Sequence, residues 1–242
     1  MKRIICAVAI GAFVLVGCGS NDTADSGPAS TSAAEQSTTT TAAAEPTAEV
    51  MFTFFNDQPL VRFAVEIKNP ADQARVGVRS TWKVLDANGV IVGTIEDSAQ
   101  PAIPAGGSVW YVGGAGGAIL TGTPASVEFE ITDSGTLTDT APATNVVAEN
   151  PTFERASFDF YEGLRSYDAS FVIAATADVT ADDLGTVILL RDAAGEIVGA
   201  DFADTDAVPS TLKAGEKANA TATLQVASGE PATVEAYVYV DG

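Results

Sequence analysis

The sequence predicts an all-β fold built from a repeated pattern of strands. Apolar and polar residues alternate with period two over several short segments, including residues 61–68 and 217–226. Such alternation places successive side chains on opposite faces of a strand, and it predicts that one face packs against a core and the other lies in water. In addition, the octapeptide at residues 86–93 returns 106 positions later, at residues 192–199, with six of its eight letters unchanged. No long segment has the 3.6-residue periodicity of an amphipathic helix.

The first element in chain order is a predicted signal peptide, residues 1–17. A basic start is followed at residues 4–16 by an apolar run, which is shorter than the ~20 residues that a membrane-spanning helix needs. The run ends in Leu15-Val16-Gly17-Cys18, which resembles the lipobox of bacterial lipoproteins. That resemblance implies that Cys18 is linked to diacylglycerol and anchors the mature chain at the extracytoplasmic face of the cell membrane. An ordinary signal peptide with an incidental cysteine is the alternative.

The next segment, residues 18–48, is predicted to be a disordered tether. Small and polar residues dominate it, and residues 38–41 are four consecutive threonines. A segment without aromatic side chains buries too little apolar area to offset the entropy lost on ordering. As a flexible coil it spans on the order of 30 Å.

The repeated octapeptide is interpreted as the same hairpin in two copies of one domain. Trp82 aligns with Ile188 at the same offset of 106, and Val127 aligns with Val234 at an offset of 107. Asn88-Gly89 is typical of a type I′ turn, whereas the second copy favours a type I turn closed by a glycine bulge. The chain therefore contains one domain twice.

Each copy has about seven short strands, which is typical of an immunoglobulin-like β-sandwich. The predicted organisation is two tandem immunoglobulin-like β-sandwich domains, at residues 49–134 and 150–242, joined by a polar linker at residues 135–149. The first copy resembles the FxLYD-type domain of bacterial extracytoplasmic proteins. The matching positions are Trp82, Val84, Asp86, Gly89 and Gly93. The second copy departs from that pattern at Ile188 and Arg191, and the resemblance implies architecture more than activity.

The charge of the chain argues against nucleic acid as a partner. It contains 32 acidic and 12 basic residues, a net charge of −20. Removal of the signal peptide takes away two of those basic residues and makes the mature chain more acidic still. Such a surface repels phosphate backbones and favours cations or cationic partners.

The absence of histidine excludes several kinds of active site. With no histidine, and with Cys6 and Cys18 as the two cysteines, the chain has neither a Ser-His-Asp nor a Cys-His triad nor the usual zinc ligands. Cys6 leaves with the signal peptide, so no disulfide is predicted.

Two S-x-x-K matches, Ser80 to Lys83 and Ser210 to Lys213, resemble the nucleophile motif of penicillin-recognising enzymes. That chemistry needs a helix, and an odd offset in a strand sends the two side chains to opposite faces. The glycine-rich stretch at residues 113–117 does not match a phosphate-binding loop, and it is predicted to be a flexible connection.

The acidic residues are candidates for two further functions, calcium binding and glycoside hydrolysis. Calcium is bound by 6–8 oxygen ligands, often in the loops of sandwiches. The candidates are Asp182, Asp183, Asp201, Asp204 and Asp206. Solvated surface is the favoured interpretation, because acids are abundant everywhere in the chain. A pair of carboxylates performing glycoside hydrolysis is a further alternative.

Two groups of neighbouring aromatic residues are candidate recognition elements. Trp110-Tyr111 and the segment Phe158-x-Phe160-Tyr161 each place at least one ring on the outer face of a strand if they are extended. Such a ring could stack on a sugar or on a partner's side chain, but packing across the domain junction or at the rim of a sheet is the favoured interpretation.

Together these observations predict a lipid-anchored binding or scaffolding protein of the cell envelope that is not an enzyme. Cys18 is the single predicted modification site, and no catalytic residue, cofactor or metal is predicted. The expected partners are the membrane, through the lipid, and an envelope protein or polymer. A carboxylate-based carbohydrate-active enzyme and a calcium-dependent adhesion or sensor module are the alternatives.

Overall fold

The computed structural model describes residues 44–55, 60–115, 119–140 and 145–240, and these residues form the predicted all-β fold. The strands of the N-terminal half are β1 (Thr47–Phe55), β2 (Val61–Lys68), β3 (Ala74–Val76), β4 (Arg79–Leu85), β5 (Ile91–Ala99), β6 (Ser108–Ala115), β7 (Ser126–Asp133) and β8 (Thr136–Thr138). Those of the C-terminal half are β9 (Val146–Arg155), β10 (Arg165–Ala175), β11 (Val179–Thr180), β12 (Leu184–Arg191), β13 (Ile197–Asp201), β14 (Thr211–Leu212), β15 (Lys217–Val226) and β16 (Thr233–Val240). One 3-10 turn, Ala181–Asp183, follows β11.

Four antiparallel sheets of three strands form the body of the fold. We number them by stacking order as sheet I (β5-β4-β7), sheet II (β1-β2-β6), sheet III (β13-β12-β16) and sheet IV (β15-β10-β9). One apolar core lies between sheets I and II, and another lies between sheets III and IV. A third apolar cluster joins sheets II and III.

Strand β12 shows why sheet III is covered on both faces. Val187, Ile188, Leu189 and Leu190 are all fully buried. Val187 and Leu189 belong to the cluster shared with sheet II, whereas Ile188 and Leu190 belong to the core shared with sheet IV. An uninterrupted apolar run is the sequence that a strand buried on both faces requires.

The prediction that the second face of β2 lies in water is wrong at Ala64, although Lys68 on the same face is exposed. Val61, Phe63, Val65 and Ile67 fill the core between sheets I and II as expected. On the opposite face, however, Ala64 is fully buried in the cluster between sheets II and III. The alternating pattern predicted the strand correctly, but sheet III occupies the place expected for water.

The two halves repeat one strand order. In sheet I, Val84 pairs with Val127, and in sheet III the corresponding pair is Leu190 and Val234. Each half also crosses between its facing sheets three times, as the Greek-key connections of a sandwich do. All described residues belong to one compact unit, so the structure gives a duplicated sandwich rather than a count of separate domains.

The two copies of the hairpin turn have the same geometry. The amide of Gly89 donates to the carbonyl of Asp86 at 3.0 Å, and that of Gly195 donates to Asp192 at 3.0 Å. Both glycines have positive φ, at 78° and 85°. Asn88 does not, because Asn150 is the one non-glycine residue with positive φ in the described ranges. The predicted type I′ turn is therefore wrong, and both copies are type I turns followed by a glycine bulge.

The predicted boundaries fall on the chain as follows. The predicted signal peptide and Cys18 lie outside the described residues, and so does the predicted tether except for residues 44–48. Strand β1 begins at Thr47, near the end of the predicted tether. The predicted linker at residues 135–149 includes β8 and the first residues of β9.

A buried arginine holds the chain where β1 begins. Arg75 is 3% exposed. Its Nη2 donates to the carbonyl of Ala44 at 2.6 Å, and its Nη1 donates to the carbonyl of Ser134 at 2.9 Å. Its Nε donates to Oδ1 of the buried Asn69 at 3.3 Å. Charged hydrogen bonds of this kind are stronger than neutral ones, so they fix the backbone at Ala44, just before β1.

Candidate functional site

A partly exposed polar group borders the apolar junction between sheets II and III. The guanidinium of Arg191 lies 5.5 Å from the centre of the Trp110 ring, and its Nε contacts Oε1 of Glu235 at 3.0 Å. The hydroxyl of Tyr237 donates to Oε2 of Glu235 at 2.9 Å. Burial, together with Glu235, raises the pKa of Tyr237 to about 12. The phenol therefore remains a hydrogen-bond donor at any physiological pH, and the junction keeps its pairing.

A small cleft opens at one edge of this junction. Its volume is about 210 Å³, and both halves of the chain line it with Phe54, Leu60, Arg62, Phe160, Tyr161, Ala200, Asp201, Thr223 and Gln225. Pockets that enclose a whole drug-sized ligand measure roughly 300–1,000 Å³. The cleft is therefore suited to one ring or side chain of a larger ligand.

An ion pair between the halves lies in the cleft. Nε of Arg62 is 3.4 Å from Oδ1 of Asp201, and the two side chains are 31% and 22% exposed. The amide of Phe202 also donates to Oδ1 of Asp201 at 2.9 Å. Burial raises the pKa of Asp201, and Arg62 opposes that shift. A partly buried pair of this kind offers hydrogen bonds without a large net charge.

Two glycines of β6 make room for the side chains of β2. A Cβ atom at Gly113 would meet the ring of Phe63, and one at Gly114 would meet the side chain of Arg62. Each glycine is the cross-strand partner of the side chain that covers it. Residues 113–115 thus belong to a strand, and the prediction of a flexible connection is wrong for them. Gly114 lets Arg62 cross the face of sheet II toward Asp201.

A pair of exposed phenylalanines stands beside the cleft. Phe158 is 59% exposed and Phe160 is 53% exposed. Their ring centres are 4.6 Å apart, with an interplanar angle of 59°. They lie in the connection between β9 and β10, and Phe160 also lines the cleft. Together they form an apolar surface of two contacting rings at its rim.

Hydrogen bonds under the two rings fix the connection that carries them. Oδ1 of Asp159 accepts from the amide of Ser166 at 2.7 Å and contacts Nη2 of Arg155 at 2.6 Å. Nη1 of Arg155 donates to the carbonyl of Ser166 at 2.6 Å. The hydrogen bond from Arg155, followed by that from Ser166, lowers the pKa of Asp159. Because these bonds define the backbone between the rings, the aromatic pair is preorganised.

The outer face of sheet IV continues from the cleft as a shallow groove of about 640 Å³. Thr223 lines both. The other residues of the groove are Thr152, Phe153, Glu154, Asp168, Ala169, Ser170, Asp204, Thr221 and Ala222. The lining has three carboxylates and no basic side chain. Its hydroxyl groups are linked across strands, with Thr223 donating to Asp168 at 2.8 Å.

The S-x-x-K residues do not form a catalytic pair. Ser80 is fully buried, and its hydroxyl accepts from Nε2 of Gln100 at 2.8 Å. Lys83 instead contacts Glu130 at 3.5 Å on the exposed side of sheet I. The strand therefore separates Ser80 from Lys83, as the odd offset predicts. In the second match, Lys213 contacts Asp178 at 2.8 Å.

The aspartates considered for calcium do not converge. Asp201 is paired with Arg62, and Oδ1 of Asp204 accepts from the amide of Asp206 at 2.8 Å. Asp182 and Asp183 lie in the 3-10 turn. Within the part of the chain that the structure describes, no group of three or more acidic side chains is placed to hold a metal ion.

The predicted aromatic residues divide into packing and exposed sets. Trp110 packs against Tyr237 across the junction, with ring centres 6.3 Å apart, and Tyr111 packs against the core between sheets I and II. Phe158 and Phe160 are the exposed ones. Sequence analysis did not identify Arg62 as a site residue, because it occupies a polar position in the alternating pattern of β2, where a solvated side chain is expected.

No protein-family model matches this chain, and no curated protein has a significant sequence match to it. Among the described residues, no helix is long and apolar enough to cross a membrane.

Proposed function

We propose that this chain is a lipid-anchored recognition protein of the extracytoplasmic face, not an enzyme, and that the cleft between its halves is the recognition site. The observation that carries the proposal is the exposed pair Phe158 and Phe160, held on a hydrogen-bonded connection at the rim of that cleft. Rigid aromatic side chains contribute contact area at low entropic cost, and such residues dominate binding energies at interfaces.

The chemistry of the cleft supports recognition more than catalysis. Its one acid with a raised pKa, Asp201, faces a guanidinium rather than a second carboxylate. Glycoside hydrolysis uses two carboxyl groups on opposite sides of the scissile bond. Hydrogen bonding and aromatic contact are what the lining residues offer.

The membrane part of the proposal rests on the resemblance of residues 15–18 to a lipobox. Two acyl chains give stable attachment, where one chain gives marginal binding. Metabolic labelling with a fatty-acid probe is expected to tag the wild type and to miss Cys18→Ser. Equal labelling of the two would contradict anchoring at Cys18.

The recognition part is tested by crosslinking on intact cells with the full chain. We compare the wild type with the double variant Phe158→Ser/Phe160→Ser, and the readout is the yield of one defined crosslinked species. Val90→Ser is the matched control, because Val90 is 58% exposed but lies in the hairpin of the N-terminal half. The yield is expected to fall in the double variant and to persist in the control. Equal yields in all three proteins would remove the cleft as the recognition site.

A further inference from the structure

We infer that the partner of the cleft is a basic polypeptide segment, with one apolar side chain in the cleft and its basic side chains along the groove on sheet IV. This inference rests on the proposed function and specifies the chemistry of its ligand. It follows from three features of the described residues: the charge of the groove, the walls of the cleft and the spacing between the two.

The charge of the groove selects a cation. Glu154, Asp168 and Asp204 line it, and no basic side chain does so. The chain as a whole has a net charge of −20, so an anionic ligand meets repulsion both locally and at long range. Complementary charge steers a basic partner to this face and favours its register there.

The walls of the cleft select an apolar side chain. Phe54, Leu60 and Phe160 provide apolar surface, while Arg62 and Asp201 neutralise each other. A cationic group gains little inside the cleft, because Arg62 offsets the attraction of Asp201. The exposed rings of Phe158 and Phe160 at the rim suit the flanking basic side chains, since cations bind to aromatic faces.

The spacing between cleft and groove matches an extended segment. Gln225 lines the cleft, Thr223 lies two residues before it on β15, and Thr221 lies two residues before that. Asp168 is the cross-strand partner of Thr223, and Asp204 is bridged to Thr221. Thr223 with Asp168 forms one row across the sheet, and Thr221 with Asp204 forms the next. Alternate residues of an extended chain advance by about 6.7 Å, which is also the spacing between these rows along β15. A segment with basic residues at every second position after an apolar anchor therefore places one cation at each row.

The probe is a labelled nonapeptide, Lys-Ser-Lys-Ser-Phe-Ser-Lys-Ser-Lys, which presents the same pattern in both chain directions. Its affinity for the full chain in mild detergent is measured by fluorescence anisotropy at low and high salt. The glutamate analogue of the peptide and a neutral glucan oligosaccharide are the comparison ligands. The groove variant is Glu154→Gln/Asp168→Asn/Asp204→Asn. The matched control, Glu96→Gln/Glu128→Gln/Glu130→Gln, changes the net charge equally on sheet I.

We expect the basic peptide to bind the wild type, and 1 M salt to weaken it by shortening the screening length from about 10 Å to about 3 Å. The groove variant is expected to lose about tenfold in affinity, the combined effect of removing three exposed carboxylates beside two lysines, and the sheet I control is expected to lose much less. Phe158→Ser/Phe160→Ser is expected to weaken binding to a similar degree.

Equal losses in the groove variant and the sheet I control would overturn the inference, because they would show attraction by net charge alone. Absence of peptide binding at low salt would overturn it as well. Binding of the glucan that is lost in the phenylalanine variant would replace the basic segment with a sugar while leaving the cleft as the recognition site. The proposed function itself fails separately, if crosslinking on cells does not depend on the two phenylalanines.

Discussion

In each half, every sheet has one face that points away from the core of its own sandwich, and we call it the outer face. The outer faces of sheets II and IV are formed by the same positions of the repeat, yet one is apolar and the other is polar. In sheet II, Ala64 pairs with Val112, and both are fully buried against sheet III. In sheet IV the corresponding pair is Ser170 and Thr221, which line the exposed groove. The same pair of positions is thus apolar in sheet II, where a neighbouring sheet covers it, and carries hydroxyl groups in sheet IV, where it faces water.

Sheets I and III show the same contrast. In sheet III, Val187 pairs with Tyr237 in the cluster shared with sheet II. In sheet I the corresponding pair is Thr81 and Glu130, on its outer face. Both ends of the stack are therefore polar, as the terminal repeats of stacked architectures must be. The two halves share one strand order, so strand order does not determine where the stack of sheets ends. The stack ends where the outer face of a sheet is polar.

Truncating the aromatic at the centre of the junction is the strongest test of this comparison. Trp110→Ala is expected to lower the free energy of unfolding by about 3–5 kcal/mol, because it removes a ring packed between the halves. Trp110 is 8% exposed, and its counterpart in sheet IV is the exposed Asn219. Asn219→Ala is expected to change stability by no more than about 0.5 kcal/mol. Urea unfolding of the two variants measures the difference, and equal effects would contradict it.

Enlarging a residue distinguishes the faces in the opposite direction. Ala64→Leu adds volume to a site with no exposed surface, and overpacking of this kind costs about 1–3 kcal/mol. Ser170→Leu at the same position of the repeat has open space above it and is expected to cost less than about 0.5 kcal/mol. Thermal unfolding of both proteins makes the comparison. A larger loss in the sheet IV variant would show that its outer face is not free.

The hairpin turns provide a position where the two halves should behave alike. Gly89 and Gly195 both have positive φ, and neither has an atom within 4 Å of a Cβ built on it. Replacement by alanine is therefore expected to cost each half the same, about 1 kcal/mol, from backbone strain alone. Unfolding midpoints of Gly89→Ala and Gly195→Ala measure this. A difference of more than twofold between the two losses would mean that the turns are not equivalent.

The smallest effect is expected at the ion pair between the halves. The pKa of Asp201 is raised in the folded protein, so the folded state favours the protonated carboxyl. Its contribution to stability is therefore fully present below the unfolded pKa and is lost as the pH rises through the folded pKa. Asp201→Asn is expected to be at least as stable as the wild type at pH 7, with the difference shrinking toward pH 4. Urea unfolding across that range measures it, and a clear loss at pH 7 would show that the pair with Arg62 outweighs burial.

The strands could be predicted from sequence because each depends on local alternation. The pairing of Val84 with Val127 and of Leu190 with Val234 agrees with the offsets of 106 and 107 that connect the two copies. The third apolar cluster could not be predicted in the same way. Alternation identifies the face of β2 that carries Ala64, but it cannot tell burial against another sheet from exposure of a small residue.

The site could be predicted only in part, because it depends on contacts between residues that are far apart in the sequence. Phe158 and Phe160 were recognised because neighbouring aromatic residues in an extended segment place at least one ring on its outer face. The structure instead places both in the connection between β9 and β10. The pair of Arg62 and Asp201 joins residues 139 positions apart, and no local pattern reports such a contact. The geometry of the Asn88 turn was missed because the carboxylate of Asp86 accepts from the amides of Asn88 and Val90, at 2.8 and 2.9 Å, and so favours a type I turn.

Strand β1 extends from the backbone that Arg75 holds to the cleft. Its first residue, Thr47, follows the carbonyl of Ala44 that Arg75 holds, and near its other end Phe54 lines the cleft. Seven residues of strand separate the two by about 23 Å. The backbone that Arg75 holds and the cleft therefore lie toward opposite ends of the same strand, and most of the length of β1 separates the two.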